Sequence, residues 1–164
     1  MKAPVEVERL VRRFTENRSQ YLNRRYKERQ VCRDFIEPFF AALGWDVENA
    51  NEASKQYREV VHEDALRMGG SVKAPDYSFR IRGKRRFFLE AKKPSINIKE
   101  HASPAFQIRR YGWTAKLPVS VLTDFEEFAI YDCRIQPIKT DSPAKARLHY
   151  LRYEQYIDEW DTIA

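Results

Sequence analysis

Asp76, Glu90 and Lys92 are the residues of this sequence whose types and spacing could do chemistry together. Two carboxylates at one place suit a hard cation of the Mg2+ type, which takes oxygen ligands and keeps several of its waters. A lysine beside such an ion can orient an attacking water or offset negative charge at a phosphate. A β-hairpin would bring the three together. Tyr77, Phe79 and Ile81 alternate with Asp76, Ser78 and Arg80, and Phe87, Leu89 and Ala91 alternate with Phe88, Glu90 and Lys92. This period of two predicts strands, with Gly83 as the turn between them. Pairing centred on Gly83, through a three- or five-residue loop, sets Asp76 opposite Glu90, each seven residues from the centre. Side chains so paired have Cβ atoms roughly 4.5–5.5 Å apart, and two carboxylates there need a cation or a proton between them. Lys92 points to the same face of its strand as Glu90, and Lys93 to the other.

The same residues admit a second reading, an exposed cross-strand salt-bridge cluster contributing about 0–1 kcal/mol. Their setting weighs against it: Phe87-Phe88-Leu89 and Ala91 are apolar on both sides of Glu90, where unpaired charge is costly.

The elements around the hairpin follow from periodicity and breakers. Val7, Leu10, Val11 and Phe14 predict an amphipathic helix from Val5 to about Glu16, followed by a basic stretch from Arg18 to Arg29. Val31, Phe35, Phe39 and Leu43 predict a stronger helix that Pro38 should kink or divide and Gly44 should end, with an extended run beginning at Trp45-Asp46-Val47. Glu28, four residues before Cys32, falls near the start of the buried face; it reads either as a site carboxylate or as a first-turn residue favoured by the helix dipole. Arg58 to His62 reads as a strand, and Asp64 to Ser71 as a Gly-ended excursion. Ser103-Pro104 reads as the cap and first residue of a helix to about Lys116, on which Gln107 and Tyr111 share a face. Pro118 to Thr123 and Glu127 to Cys133 read as strands, although Leu122 to Ala129 also fits a helix. Arg134 to Ala146 is a connector and Tyr153 to Ile163 a closing amphipathic helix. The sum is an α/β fold, one mixed β-sheet flanked by helices on both faces.

At 164 residues, 43% hydrophobic and 33% charged, with no linker, the chain reads as a single globular domain. Within it, 1–27 are a helix and basic lead-in, 28–133 a core carrying the candidate site, and 134–164 the connector and closing helix. Cys32 and Cys133 lack histidines at ligand spacing and read as free thiols. The lack of a long apolar run and of a signal-peptide start points to a soluble, cytoplasmic protein without a membrane segment. The charge of +6 suits a polyanionic partner. Arg109 and Arg110 are candidates for contact with a phosphate backbone, with a solvated helix face as the alternative.

Pro75-Asp76 and Glu90-Ala91-Lys92 resemble the signature of the restriction-endonuclease-like nucleases, the Pro-Asp/(Asp or Glu)-x-Lys superfamily. Glu28, with Phe35-Ile36 and Leu43-Gly44-Trp45-Asp46 after it, resembles the helical acidic motif at the front of that fold. Gln107-Ile108-Arg109-Arg110-Tyr111 is similar to the Gln-x-x-x-Tyr motif of the subset found in type I restriction motor subunits, RecB-like repair nucleases and single-chain restriction-modification enzymes. Phe87 to Pro94, Arg109 to Trp113 and Leu122 to Phe128 look most like the N-terminal nuclease domain of the single-chain, type IIG-like enzymes. The likeness covers roughly Glu28 to Trp160.

The resemblance implies that Asp76 and Glu90 bind Mg2+, with Mn2+ able to substitute, helped by the Ala91 carbonyl. Lys92 would be catalytic, Glu28 would hold an outer position near the metal, and Gln107 and Tyr111 would orient site groups or the DNA backbone. The function implied is a Mg-dependent endonuclease domain acting on double-stranded DNA. Its specificity would come from methyltransferase and target-recognition regions of a longer parent chain; since one site cuts one strand at a time, double-strand cleavage would need a second copy, as in a transient dimer, or a second binding event. A RecB-like repair nuclease or a type I motor-subunit nuclease is the alternative within the enzyme class, and a non-catalytic DNA-binding module the alternative outside it.

Overall fold

The computed structural model of the chain describes all residues from Met1 to Ala164. A six-stranded sheet forms its centre, in the order β1 (Val60–His62), β4 (Tyr77–Ile81), β5 (Lys84–Ala91), β6 (Val119–Thr123), β7 (Glu127–Asp132) and β8 (Arg147–Arg152). Only β5 and β6 run parallel. A parallel pair needs a long crossover, and α5 (Ala102–Thr114) supplies it.

Helices cover both faces. Because successive strand residues point to opposite sides, Phe79, Leu89, Val121 and Phe128 enter one core with α1 (Val5–Glu16) and α4 (Glu37–Ala42), while Phe88, Leu122, Ala129 and Tyr131 enter a second core under α5. The first core extends into a cluster of rings, in which Phe14, Phe35 and Phe39 all meet Phe125. The mixed sheet is as expected, and no helix is long and apolar enough to cross a membrane.

Gly112 sets how closely α5 approaches the sheet. A Cβ there would lie 2.4 Å from Cys133 Sγ and 2.9 Å from Ser120 Oγ. Gly→Ala inside a helix ordinarily gains stability, but here the overlap decides the sign. Gly112→Ala should destabilise the protein by about 1–3 kcal/mol, read as a lower urea midpoint, because α5 must lift off the sheet.

The hairpin tip differs from the expectation. Ile81 pairs Lys84 across a two-residue turn, Arg82-Gly83, rather than a three- or five-residue loop. Both turn residues have positive φ, 53° and 79°, the mirror-image turn that matches strand twist. Arg86 then falls out of the ladder as a β-bulge, so that Phe79 pairs Phe87 and Tyr77 pairs Leu89. Two-residue turn plus bulge restores the register centred on Gly83 that the period-two pattern predicts. Asp64 steadies the tip, accepting from Arg80 at 2.6 Å and Arg85 at 2.8 Å, which lie opposite each other.

Other expectations are corrected. Trp45-Asp46-Val47 is not a strand, because the Asp46 carboxylate accepts the Ala50 and Asn51 N–H groups and folds the chain into turns. The segment after Asp64 is a small separate hairpin, β2 (Leu66–Met68) with β3 (Ser71–Lys73). α5 starts at Ala102, ahead of Ser103, and Pro104 sits in its first turn, where a missing N–H costs nothing. The two strands expected over 118–123 and 127–133 do form, as β6 and β7 with a turn between them, so the helical alternative for Leu122 to Ala129 falls. Arg147–Arg152 adds a sixth strand, and the closing segment is a 3-10 turn (Tyr153–Gln155) and a short helix, α6 (Trp160–Ile163). Tyr153, Tyr156 and Trp160 are buried as a helical spacing predicts, on backbone that is helical only in part.

Candidate active site

The sheet brings Asp76 and Glu90 together at the end of β5, the strand between β4 and β6. Each carboxylate accepts a backbone N–H from the opposing strand: Asp76 N–H donates to Glu90 Oε1 at 2.7 Å, and Ala91 N–H to Asp76 Oδ2 at 2.8 Å. This reciprocal pair pins both carboxyls beyond the last ladder pair. Lys92 continues the strand, its N–H donating to the Thr123 carbonyl at 3.0 Å.

Glu28 approaches from the other side, at the start of α3 (Glu28–Val31). A π-helical turn over Cys32–Ile36 joins α3 to α4. Pro38 accounts for this break, since it has no N–H for the Asp34 carbonyl, which accepts the Arg13 guanidinium instead. The wider turn also changes the helix face. In regular α-helix Glu37 would be rotated far from Cys32, whereas one π turn brings it back onto the same side. Glu37 thereby accepts the Tyr77 hydroxyl at 2.7 Å. Sequence periodicity assigns Glu37 no part here; its one signal is Pro38 beside it.

Glu28, Arg29, Arg33, Glu37, Asp76 and Tyr77 line one cleft of about 450 Å3. Its electrostatics follow from crowding. The Asp76 carboxyl lies near enough to those of Glu28 and Glu90 for the three to act on one another's protonation. Burial, then the charge of Asp76, pushes Glu90 up to about 8. Glu28 is raised by the same two causes in the same order, and Asp76 is raised by burial against the opposing pull of the Ala91 N–H and Lys92. Lys92 is the cation that lowers all three. One positive charge against three carboxyls leaves an excess that a proton or another cation must balance. The Cys32 thiol beside them is pushed up to about 12, chiefly by burial, which favours the neutral thiol over the thiolate.

The donor set is all oxygen and suits a hard cation. No three His, Cys, Asp or Glu side chains form a ready-made cage. Any ion held here would therefore rest on Asp76, Glu90 and a backbone carbonyl such as that of Ala91, with water completing the shell.

On α5, Gln107 Nε2 donates to the Tyr111 hydroxyl at 2.6 Å. Burial and the charge of Glu90 raise that hydroxyl, and Arg110 acts on it in the opposite sense. Tyr111, and Gln107 through it, are thus close enough to Glu90 and Asp76 to feel their charge. Arg109, by contrast, is 1% exposed and its Nη1 donates to Asp141 at 2.8 Å, tying the connector to α5. The expectation that Arg109 contacts a phosphate backbone is corrected on that ground.

The sequence is 44% identical over 160 residues to the type II restriction enzyme and methyltransferase RM.Eco57I of Escherichia coli. That alignment takes in 96% of this chain and 16% of the relative, so the chain spans about a sixth of the relative's length. No protein-family model matches the sequence, and no solved structure matches it. Along nearly its whole length the chain is homologous to the N-terminal part of RM.Eco57I, a single-chain type II restriction enzyme and methyltransferase.

Proposed function

We propose that this chain is a metal-dependent DNA endonuclease domain, the cleavage module of a restriction-modification enzyme. The observation that carries the proposal is the cluster of Asp76, Glu90 and Glu28 around Lys92, in a chain homologous to part of a restriction enzyme. Asp76, Glu90 and the Ala91 carbonyl hold Mg2+, and Mn2+ can take its place. The bound ion supplies a water of lowered pKa and neutralises charge at the scissile phosphate. Lys92 orients the attacking water or stabilises the transition-state charge, and Glu28 holds an outer position. Gln107 and Tyr111, already hydrogen-bonded to each other, present a fixed polar edge to the site or the DNA backbone.

Such a domain contacts phosphates and carries little sequence specificity of its own, which falls to methyltransferase and target-recognition regions of a longer chain. One site cuts one strand, and a transient pair of copies cuts both. Supercoiled plasmid should be nicked with Mg2+ and left intact in EDTA. Mg2+ or Mn2+ should also raise the melting temperature, by stabilisation of about 2.7 kcal/mol at a hundredfold excess over Kd. Asp76→Ala should abolish both effects; a variant that still nicks and still gains stability would place the ion elsewhere.

A further inference from the structure

The segment between α2 (Arg18–Tyr21) and the π turn is basic and held in place. Residues 18–33 contain six basic side chains and one acidic side chain, Glu28. Arg24, Arg25, Lys27, Arg29 and Arg33 are exposed, and none forms a side-chain salt bridge. Arg18, at the start of the segment, pairs with Glu126, and outside it Arg80 and Arg85 pair with Asp64 and Arg109 with Asp141, whereas Arg9, Arg12 and Arg67 pair with no carboxylate; what distinguishes the segment is five unpaired cations close together in sequence.

The backbone that carries these cations is not loose. Tyr21 stacks on Phe14 with centroids 5.3 Å apart and meets Phe35 edge-on at 4.8 Å. Tyr26 packs on Tyr21 at 4.9 Å, and its hydroxyl donates to Asp34 at 2.8 Å. The turn between the two tyrosines is closed by Arg25 N–H on Asn23 Oδ1. Two tyrosines thus anchor a turn whose charges are turned outward. Asp34, the acid nearest in sequence after Glu28, takes a tyrosine hydroxyl and leaves the arginines free.

Unpaired like charges repel, and holding them together on an ordered turn has a cost that a polyanion would offset. The position selects which one. Arg29 and Arg33 line the cleft that contains Asp76, and Glu28 lies between Lys27 and Arg29. We propose that Arg24, Arg25, Lys27, Arg29 and Arg33 form the surface that takes the phosphodiester backbone of duplex DNA where it enters the cleft. This rests on the nuclease reading and adds the surface that substrate uses. Guanidinium groups pair phosphate oxygens through two parallel N–H donors, so an ordered row of them fixes the strand's position as well as attracting it. It also supplies repulsion-free access to an acidic site, since phosphates would otherwise approach three carboxyls directly.

The test is binding of a labelled duplex of arbitrary sequence in EDTA, measured against salt. Arg24→Gln/Arg25→Gln removes two exposed, unpaired charges, and the slope of log affinity against log salt should fall by about 0.9 for each phosphate that is no longer neutralised. Lys139→Gln/Lys145→Gln is the control. It makes the same charge change in the connector after β7, at the opposite end of the sheet from the Ala91–Thr123 pair. The arginine variant should show a shallower slope and weaker binding while the lysine variant keeps both. Equal reductions in the two would mean that overall charge governs binding and would overturn the assignment. Unchanged binding by the arginine variant, with Mg2+-dependent nicking intact in the wild type, would overturn this surface and leave the nuclease reading standing. No duplex binding by the wild type at low salt would overturn both.

Discussion

Replacing Lys92 by alanine should lower nicking by about 10²–10³-fold, the usual effect of removing one preorganised electrostatic group from a site where charge develops. The fold should survive, because the strand is held there by the Lys92 N–H on the Thr123 carbonyl, which the substitution leaves in place. DNA affinity should change little, since one ammonium among 30 Lys and Arg side chains contributes little to attraction at a distance. Lys93→Ala is the internal control: β5 ends at Ala91, and alternation carried on from Glu90 through Lys92 turns Lys93 the other way. It should cost little activity. A loss at Lys93 equal to that at Lys92 would mean that general charge, and not a positioned ammonium, serves the reaction.

Glu90→Gln should lessen the fall in the metal-free protein's stability as pH rises from about 5 to about 9. The folded carboxyl is pushed up to about 8, by burial first and by Asp76 second, from an ordinary value of 4.5. A raised carboxyl means that the folded state holds the proton more tightly than the unfolded state. The stabilisation is therefore complete below the unfolded value and is lost as pH rises through the folded one. For a group 8% exposed the loss is on the order of a few kcal/mol. Urea midpoints in EDTA should fall across that range for the wild type and fall less steeply for the variant, in which Asp76, Glu28 and the buried Asp124 are still raised. Added Mg2+ should restore the wild type at high pH by replacing the proton, and should not act on the variant. A wild type whose stability is indifferent to pH would show that the three carboxyls are not crowded together.

The parts of the site that the sequence discloses are those governed by strand alternation. Asp76 faces Glu90 because a one-residue slip would turn Phe79, Phe87 and Leu89 out of their core, and the place of Gly83 chooses among the registers that keep them there. The tip is not legible, because an arginine at positive φ carries none of the Asn-Gly signal that usually marks such a turn. Glu37 is hidden by a change of helical period that only Pro38 could signal. Arg109 misleads for a different reason: an arginine suggests a surface position, although Ala105 and Gly112, four before and three after it on the helix, are buried, and its partner, Asp141, lies 32 residues away. The sixth strand, Arg147–Arg152, is an edge strand with only Leu151 buried, so tertiary pairing and not alternation defines it.

The bulge at Arg86 gives the hairpin a tolerance to changes in length. Deleting any one of Lys84, Arg85 or Arg86 leaves a regular ladder behind the same two-residue turn, with Tyr77 still opposite Leu89 and Asp76 still opposite Glu90. Deleting one residue among Phe87, Phe88 and Leu89 has no such outlet. The strand must then either keep the bulge and displace Glu90, or surrender it and present arginine or a misplaced ring to a core that Phe87 and Phe88 now fill from opposite faces. Deletions and loop grafts should accordingly be accepted at the tip and rejected three residues nearer the carboxylates, which makes the tip the place where this module's outline can vary while its chemistry stays fixed.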